Sequence, residues 1–149
     1  MSELRELYQE VILDHGRKPR NHRPMQQATA QSVGYNPLCG DKLHLFVQVQ
    51  DGVITDVSFE GTGCAISTAS ASLLTQILKG KSLAEAQGIV EGFVAMLTDE
   101  EDAPEATSLG KLAVFEGVKV FPVRVKCATL AWRTLEAALV GKEDPVTTE

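Results

Sequence analysis

Three cysteines and one aspartate are the residues of this 149-residue sequence whose settings allow chemistry beyond packing. Cys39 lies in the turn-forming run Asn36-Pro37-Leu38-Cys39-Gly40-Asp41, between two candidate strands. Cys64 closes the glycine loop Glu60-Gly61-Thr62-Gly63-Cys64, which opens a helix, and Cys127 follows Pro122 at or near the first turn of the last helix. Helix N-termini carry partial positive charge from their unsatisfied amides, which lowers a thiol's pKa and favours the thiolate that binds metal or attacks sulfur. A lone cysteine is ordinarily a small buried hydrophobe. That reading weakens when all three occupy loop or helix-start positions. Their gaps of 25 and 63 residues match no zinc finger, so a shared site has to be assembled by the fold. Three thiolates leave one position open on a tetrahedral zinc, and Asp41, on the same turn as Cys39, is the candidate for it. An oxygen among soft sulfurs is expected to be the most exchangeable ligand. Four anionic ligands around one dication leave an excess near −2, which Arg124 and Lys126 are placed to offset.

The elements that position these residues follow from periodicity. Leu4, Leu7, Tyr8, Val11 and Ile12 recur at helical spacing, and Gly16 is read as the break. Arg17-Lys18-Pro19-Arg20-Asn21-His22-Arg23-Pro24 reads as an ordered or semi-ordered basic loop, a connector rather than a docking site. A weak strand is expected near Thr29–Gly34. Leu43, Leu45, Val47 and Val49 alternate with polar neighbours as in a half-buried strand, Asp51-Gly52 is a strong hairpin turn, and Val53, Thr55, Val57 and Phe59 form one face of the return strand. The rest reads as helical. A small-residue helix spans Ala65–Leu78, and the capping box Ser82-Leu83-Ala84-Glu85 opens a second helix that runs to about Leu97. An acidic surface loop follows at Asp99–Glu105, then a short helix near Leu109–Phe115. A last helix carries Leu130, Ala131, Trp132, Leu135 and Ala138 to Gly141, and the tail Lys142–Glu149 looks frayed. Strands first and helices afterwards predict a single α+β domain over residues 1–149, with a small antiparallel three-stranded sheet and about five helices.

Composition narrows the function classes. A chain of this length buries enough surface to fold without disulfides. Fourteen basic against twenty acidic residues, net charge −6, argue against a nucleic-acid binder. No signal pattern and no stretch of membrane-spanning length is evident, so a reduced cytoplasm, without a membrane partner, is the expected location. His15, His22 and His44 read as surface or helix-end groups. Ser67, Ser70 and Ser72 have no base at an informative spacing.

Asn36–Asp41, Phe59–Ser67 and Arg124–Trp132, in that order, resemble the three signature segments of the NifU/IscU/SufU iron–sulfur assembly family. The opening Leu7–His15 and Pro19-Arg20-Asn21 resemble its N-terminal helix and loop. Scaffold members of the IscU type carry histidine immediately before the last cysteine, where this chain has Lys126. They also carry a proline-rich chaperone motif that Val120–Arg124 does not reproduce, and a shorter stretch between the last two cysteines. These departures resemble the SufU branch. The resemblance implies that Cys39, Asp41, Cys64 and Cys127 bind Zn2+, that a SufS-type cysteine desulfurase is the partner, with downstream SUF components beyond it, and that the chain accepts persulfide sulfur. Cys39 is the expected catalytic acceptor, because its Pro/Gly turn can move without dismantling a helix. The alternatives are a scaffold holding iron or an iron–sulfur cluster on the same ligands, and a zinc module that only holds the fold together.

Overall fold

The computed structural model describes residues 2–98, 106–141 and 145–147. Helix α1 (Ser2–Arg17) leads into strands β1 (Ala30–Asn36), β2 (Asp41–Gln50) and β3 (Val53–Thr62). Helices α2 (Ala65–Leu78) and α3 (Leu83–Thr98), a 3-10 segment (Ala106–Val120) kinked at Gly110, helix α4 (Pro122–Leu139) and the short strand β4 (Val146–Thr147) complete the chain. The strand order is β3-β2-β1-β4. The α+β class and the helices are as expected, but the sheet has four strands and is mixed. The tail does not simply fray: Val146 and Thr147 pair in parallel with Gly34 and Tyr35, covering the edge of β1. The expected acidic loop at Asp99–Glu105 lies outside the described residues.

The β2–β3 hairpin turns at Asp51 (φ 52°) and Gly52 (φ 76°), the left-handed pair that suits the twist of the flanking strands. Asp56 pairs with Gln48 and Ile54 with Val49, which leaves Thr55 as the extra residue of a bulge. The bulge reverses the face of the strand. Val57 and Phe59 are buried as their alternation predicts, but beyond the bulge Ile54, not Val53 or Thr55, enters the core. Gly16 does not end α1, which continues to Arg17. A Cβ at Gly16 would lie 3.2 Å from that of Ala65, so this glycine allows α1 to lie against the start of α2.

The core lies between the sheet and the helices. Trp132 of α4 stacks on Phe93 of α3 at 4.7 Å, and Phe93 meets Phe115 edge-on at 5.7 Å. The Trp132 indole donates to Ser70 Oγ (2.9 Å), whose hydroxyl donates to the Ala128 carbonyl (2.6 Å), so the polar groups of the helix contact are satisfied. The basic loop is ordered by its own bonds. The Arg20 amide donates to Ser72 Oγ, Asn21 Nδ2 donates to Thr75 Oγ1, and Arg23 grips both oxygens of Asp56 at 2.9 Å. His15 lies in the last turn of α1 but is not a surface group: it is buried and bonded to Ser72 Oγ at 2.7 Å.

Candidate metal centre

Each cysteine is delivered by a different element: the β1–β2 link, the start of α2 and the second turn of α4. Asn36 and Asp41 are the last paired residues of the β1–β2 ladder, and the link between them carries Cys39, whose amide donates to the Asn36 carbonyl at 3.2 Å. Gly40 closes that link at φ 71°, a conformation glycine adopts without strain. Cys64 is the N-cap of α2, in extended conformation, and its sulfur accepts the Ser67 amide at 3.4 Å. Cys127 is not at the first turn of its helix. Helix α4 starts at Pro122, so Cys127 sits in its second turn, among the buried residues of that helix.

The ligand atoms of Cys39, Asp41 and Cys127 all lie within 4.8 Å of one another. The Cys127 and Cys39 sulfurs approach to 2.9 Å, and Cys64 lines the same cavity. Asp41 is 2% exposed, and its two oxygens are held separately: Oδ1 accepts the Cys64 amide at 2.8 Å, and Oδ2 accepts Asn36 Nδ2 at 3.3 Å. Asp41, expected to be the most exchangeable ligand, is thus held at both oxygens. Asp41 is pinned, whereas Cys39 rides on a turn with exposed Pro37, Leu38 and Gly40. The remaining wall of the cavity is Ala65, Ile66 and the start of α4, Phe121 to Arg124. Arg124 borders the cysteine cavity with its guanidinium 4.8 Å over the Phe121 ring, and Lys126 borders a separate groove between α4 and β4.

The donor set fits a soft dication. Burial, then the neighbouring thiols of Cys39 and Cys64 and the Asp41 carboxylate, push the Cys127 thiol far above the ordinary thiol range. Four acidic groups drawn together in this way repel as anions, and a central cation removes that repulsion. A tetrahedron with metal–sulfur bonds of about 2.3 Å has edges near 3.8 Å, within the observed spacing. Two residues that the sequence reads only as turn or loop formers contribute to this geometry. Asn36 Nδ2 also donates to Cys127 Sγ at 3.3 Å. A Cβ on Gly63 would come within 2.6 Å of Asp41 Oδ1, so only glycine leaves room for the carboxylate there.

Residues 7–128 match the NifU-like N-terminal domain family. The chain belongs to this family. It is 38% identical over 137 residues to the zinc-dependent sulfurtransferase SufU of Bacillus subtilis, covering 92% of both chains. It is 39% identical over 139 residues to the iron–sulfur cluster assembly scaffold protein IscU of Streptococcus pyogenes, covering 93% of this chain and 86% of that one. The fold superposes with a TM-score of 0.82 on a Fervidobacterium islandicum protein described as an iron–sulfur cluster assembly scaffold for the SUF system, at 36% identity over 87% of this chain and 94% of the other. Among the described residues no helix is long and apolar enough to cross a membrane.

Proposed function

We propose that this NifU-like domain is a zinc-holding sulfur acceptor, which takes persulfide sulfur from a cysteine desulfurase and carries it toward iron–sulfur cluster assembly. The observation that carries this reading is the asymmetry of the centre: a pinned carboxylate and a buried cysteine beside a third candidate ligand, Cys39, on an exposed turn. The SufU relative, named as a zinc-dependent sulfurtransferase, supports it.

Cys39, Asp41, Cys64 and Cys127 would hold the zinc, which when bound keeps its cysteine ligands as thiolates at neutral pH. Cys39 Sγ attacks the terminal sulfur of the donor's persulfide. The new sulfur–sulfur bond forms as the donor's breaks, and the donor cysteine departs as a thiolate with no net oxidation. Arg124, at the mouth of the cavity, offsets the negative charge gathered there during transfer. Lys126 supplies a more distant positive charge beside Cys127. Phe121 and Val123, each about half exposed at 49% and 50%, give the mouth an apolar rim on which a SufS-type desulfurase can seat.

Mixing the protein with a desulfurase and free cysteine, then mapping persulfide by mass spectrometry, tests the assignment. Label is expected on Cys39, and Cys39→Ala abolishes both the label and the stimulation of cysteine turnover. Label confined to Cys64 or Cys127 overturns it. The IscU relatives, named as scaffolds, favour a second reading in which the same ligands hold an iron–sulfur cluster. Anaerobic reconstitution that yields a stable chromophore transferable to an apo-protein would establish that alternative.

A further inference from the structure

The amide of Asn36 has two N–H bonds and spends both on the centre: Nδ2 donates to Asp41 Oδ2 and to Cys127 Sγ, each at 3.3 Å. Asn36 is 0% exposed, Asp41 2% and Cys127 1%, so these bonds lie in the protein interior. The cost of this orientation is visible on the other side of the same amide, where Oδ1 is buried without a hydrogen-bond partner among the described residues. Buried polar atoms are nearly always paired, so an orphan calls for a reason. Here the reason is electrostatic. Turning the amide over would aim Oδ1 at a carboxylate and a sulfur, whereas the observed orientation presents two donors to two anionic ligands.

Resting on the zinc reading above, we infer that Asn36 is the positioning residue that makes Asp41 and Cys127 the permanent half of the centre and leaves Cys39 as the ligand that exchanges. Donors aimed at metal ligands fix their orientation and favour their deprotonated form. Asp41 receives one from Asn36 and one from the Cys64 backbone, and Cys127 receives the other Asn36 N–H. Cys39 shares the β1–β2 turn with Asn36 through its backbone amide, but among the described residues its sulfur rests against Cys127 rather than on an amide donor. The same residue therefore braces two ligands and anchors the base of the turn that carries the third.

The test uses zinc-loaded full-length protein, wild type beside Asn36→Ala, which removes the donors, and Asn36→Asp, which keeps the shape but sets an acceptor against two anions. Zinc affinity by chelator competition is expected to fall about 10- to 100-fold in Asn36→Ala, the usual cost of losing a group behind a metal ligand, and further in Asn36→Asp. Iodoacetamide labelling resolved by peptide mapping gives a readout that a general loss of stability would not. In the wild type Cys39 reacts first and Cys127 last, and in the variants Cys127 approaches the rate of Cys39, which itself stays unchanged. Cobalt(II) substitution is expected to show altered sulfur-to-metal charge-transfer bands in both variants. Wild-type affinity, labelling order and cobalt spectrum in both variants overturn the inference. So does loss of the fold in both variants with chelator present, which would assign Asn36 to the core instead. A wild type that holds no zinc fails at the earlier step and is recognised by the competition assay on that protein alone.

Discussion

At the scale of single residues, the centre depends on groups that are not themselves ligands. Gly63 is the clearest case, because any Cβ there collides with Asp41 Oδ1. The carboxylate cannot retreat easily, since the Cys64 amide and Asn36 hold its two oxygens from different directions. Gly63→Ala is therefore expected to weaken zinc retention about 10-fold or more in chelator competition, while the unfolding midpoint of the chelated protein changes little. Unchanged zinc retention would show that the loop gives way instead of the carboxylate. The four candidate ligands were legible from sequence as chemistry-bearing residues, three in a turn or at a helix start and Cys127 just beyond one, and the structure draws Cys39, Asp41 and Cys127 together. Asn36 and Gly63 were not legible. An asparagine before proline and a glycine in a glycine-rich run are each fully explained by local turn preference, and their partners at Cys127 and Asp41 lie far away in the chain. Cys127 lies one turn deeper in α4 than the sequence predicts for a related reason: Pro122 marks a helix start, but nothing local tells how far into the helix the cavity-lining side chain falls.

At the scale of elements, local chemistry read correctly wherever it closes on itself. The capping box is complete, with the Glu85 amide donating to Ser82 Oγ and the Ser82 amide to Glu85 Oε1, both at 3.1 Å. The Glu85 carboxyl is held below its ordinary range by hydrogen bonding from the Ser82 backbone amide first and from the Ser82 side chain next. Ser82→Ala is expected to lower stability by about 1 kcal/mol in urea unfolding, with no effect on zinc retention, because α3 supplies no ligand. A change below about 0.3 kcal/mol would mean that tertiary packing alone sets the start of the helix. The elements that local sequence does not show are those decided by contacts across the chain. The bulge at Thr55 shifts the buried face of β3, although the alternation of Val53, Thr55, Val57 and Phe59 is unbroken in sequence. Strand β4 is two residues long, too short to carry any period, and exists because the edge of β1 is there to receive it. Gly16 has the composition of a helix break but serves a helix crossing.

At the scale of the whole molecule, His15 joins segments that the metal centre does not. It lies in the last turn of α1, reaches Ser72 across 57 residues, and shares that hydroxyl with the Arg20 amide of the basic loop. Because Ser72 Oγ already accepts from Arg20, its proton is free to point at His15 Nδ1, which accepts only in the neutral ring. Burial first, and then the Arg20 charge, lower the His15 pKa; Asp14 opposes them, and Lys111 adds to the depression. A base whose pKa is lower in the folded state binds fewer protons there than in the unfolded chain. The stability tied to neutral His15 is therefore complete above the free-histidine value near 6.5, and is lost as the pH falls from there through the lowered folded value. Urea unfolding of chelated protein at pH 7.5 and 5.5 isolates this effect from metal release. The wild type is expected to lose stability at the lower pH, and His15→Gln, which cannot titrate, to lose measurably less. Equal losses in the two proteins would assign the acid sensitivity to other groups. A larger loss in the wild type would show that the seat of α1 on α2, beside the junction that delivers Cys64, is set by one buried imidazole.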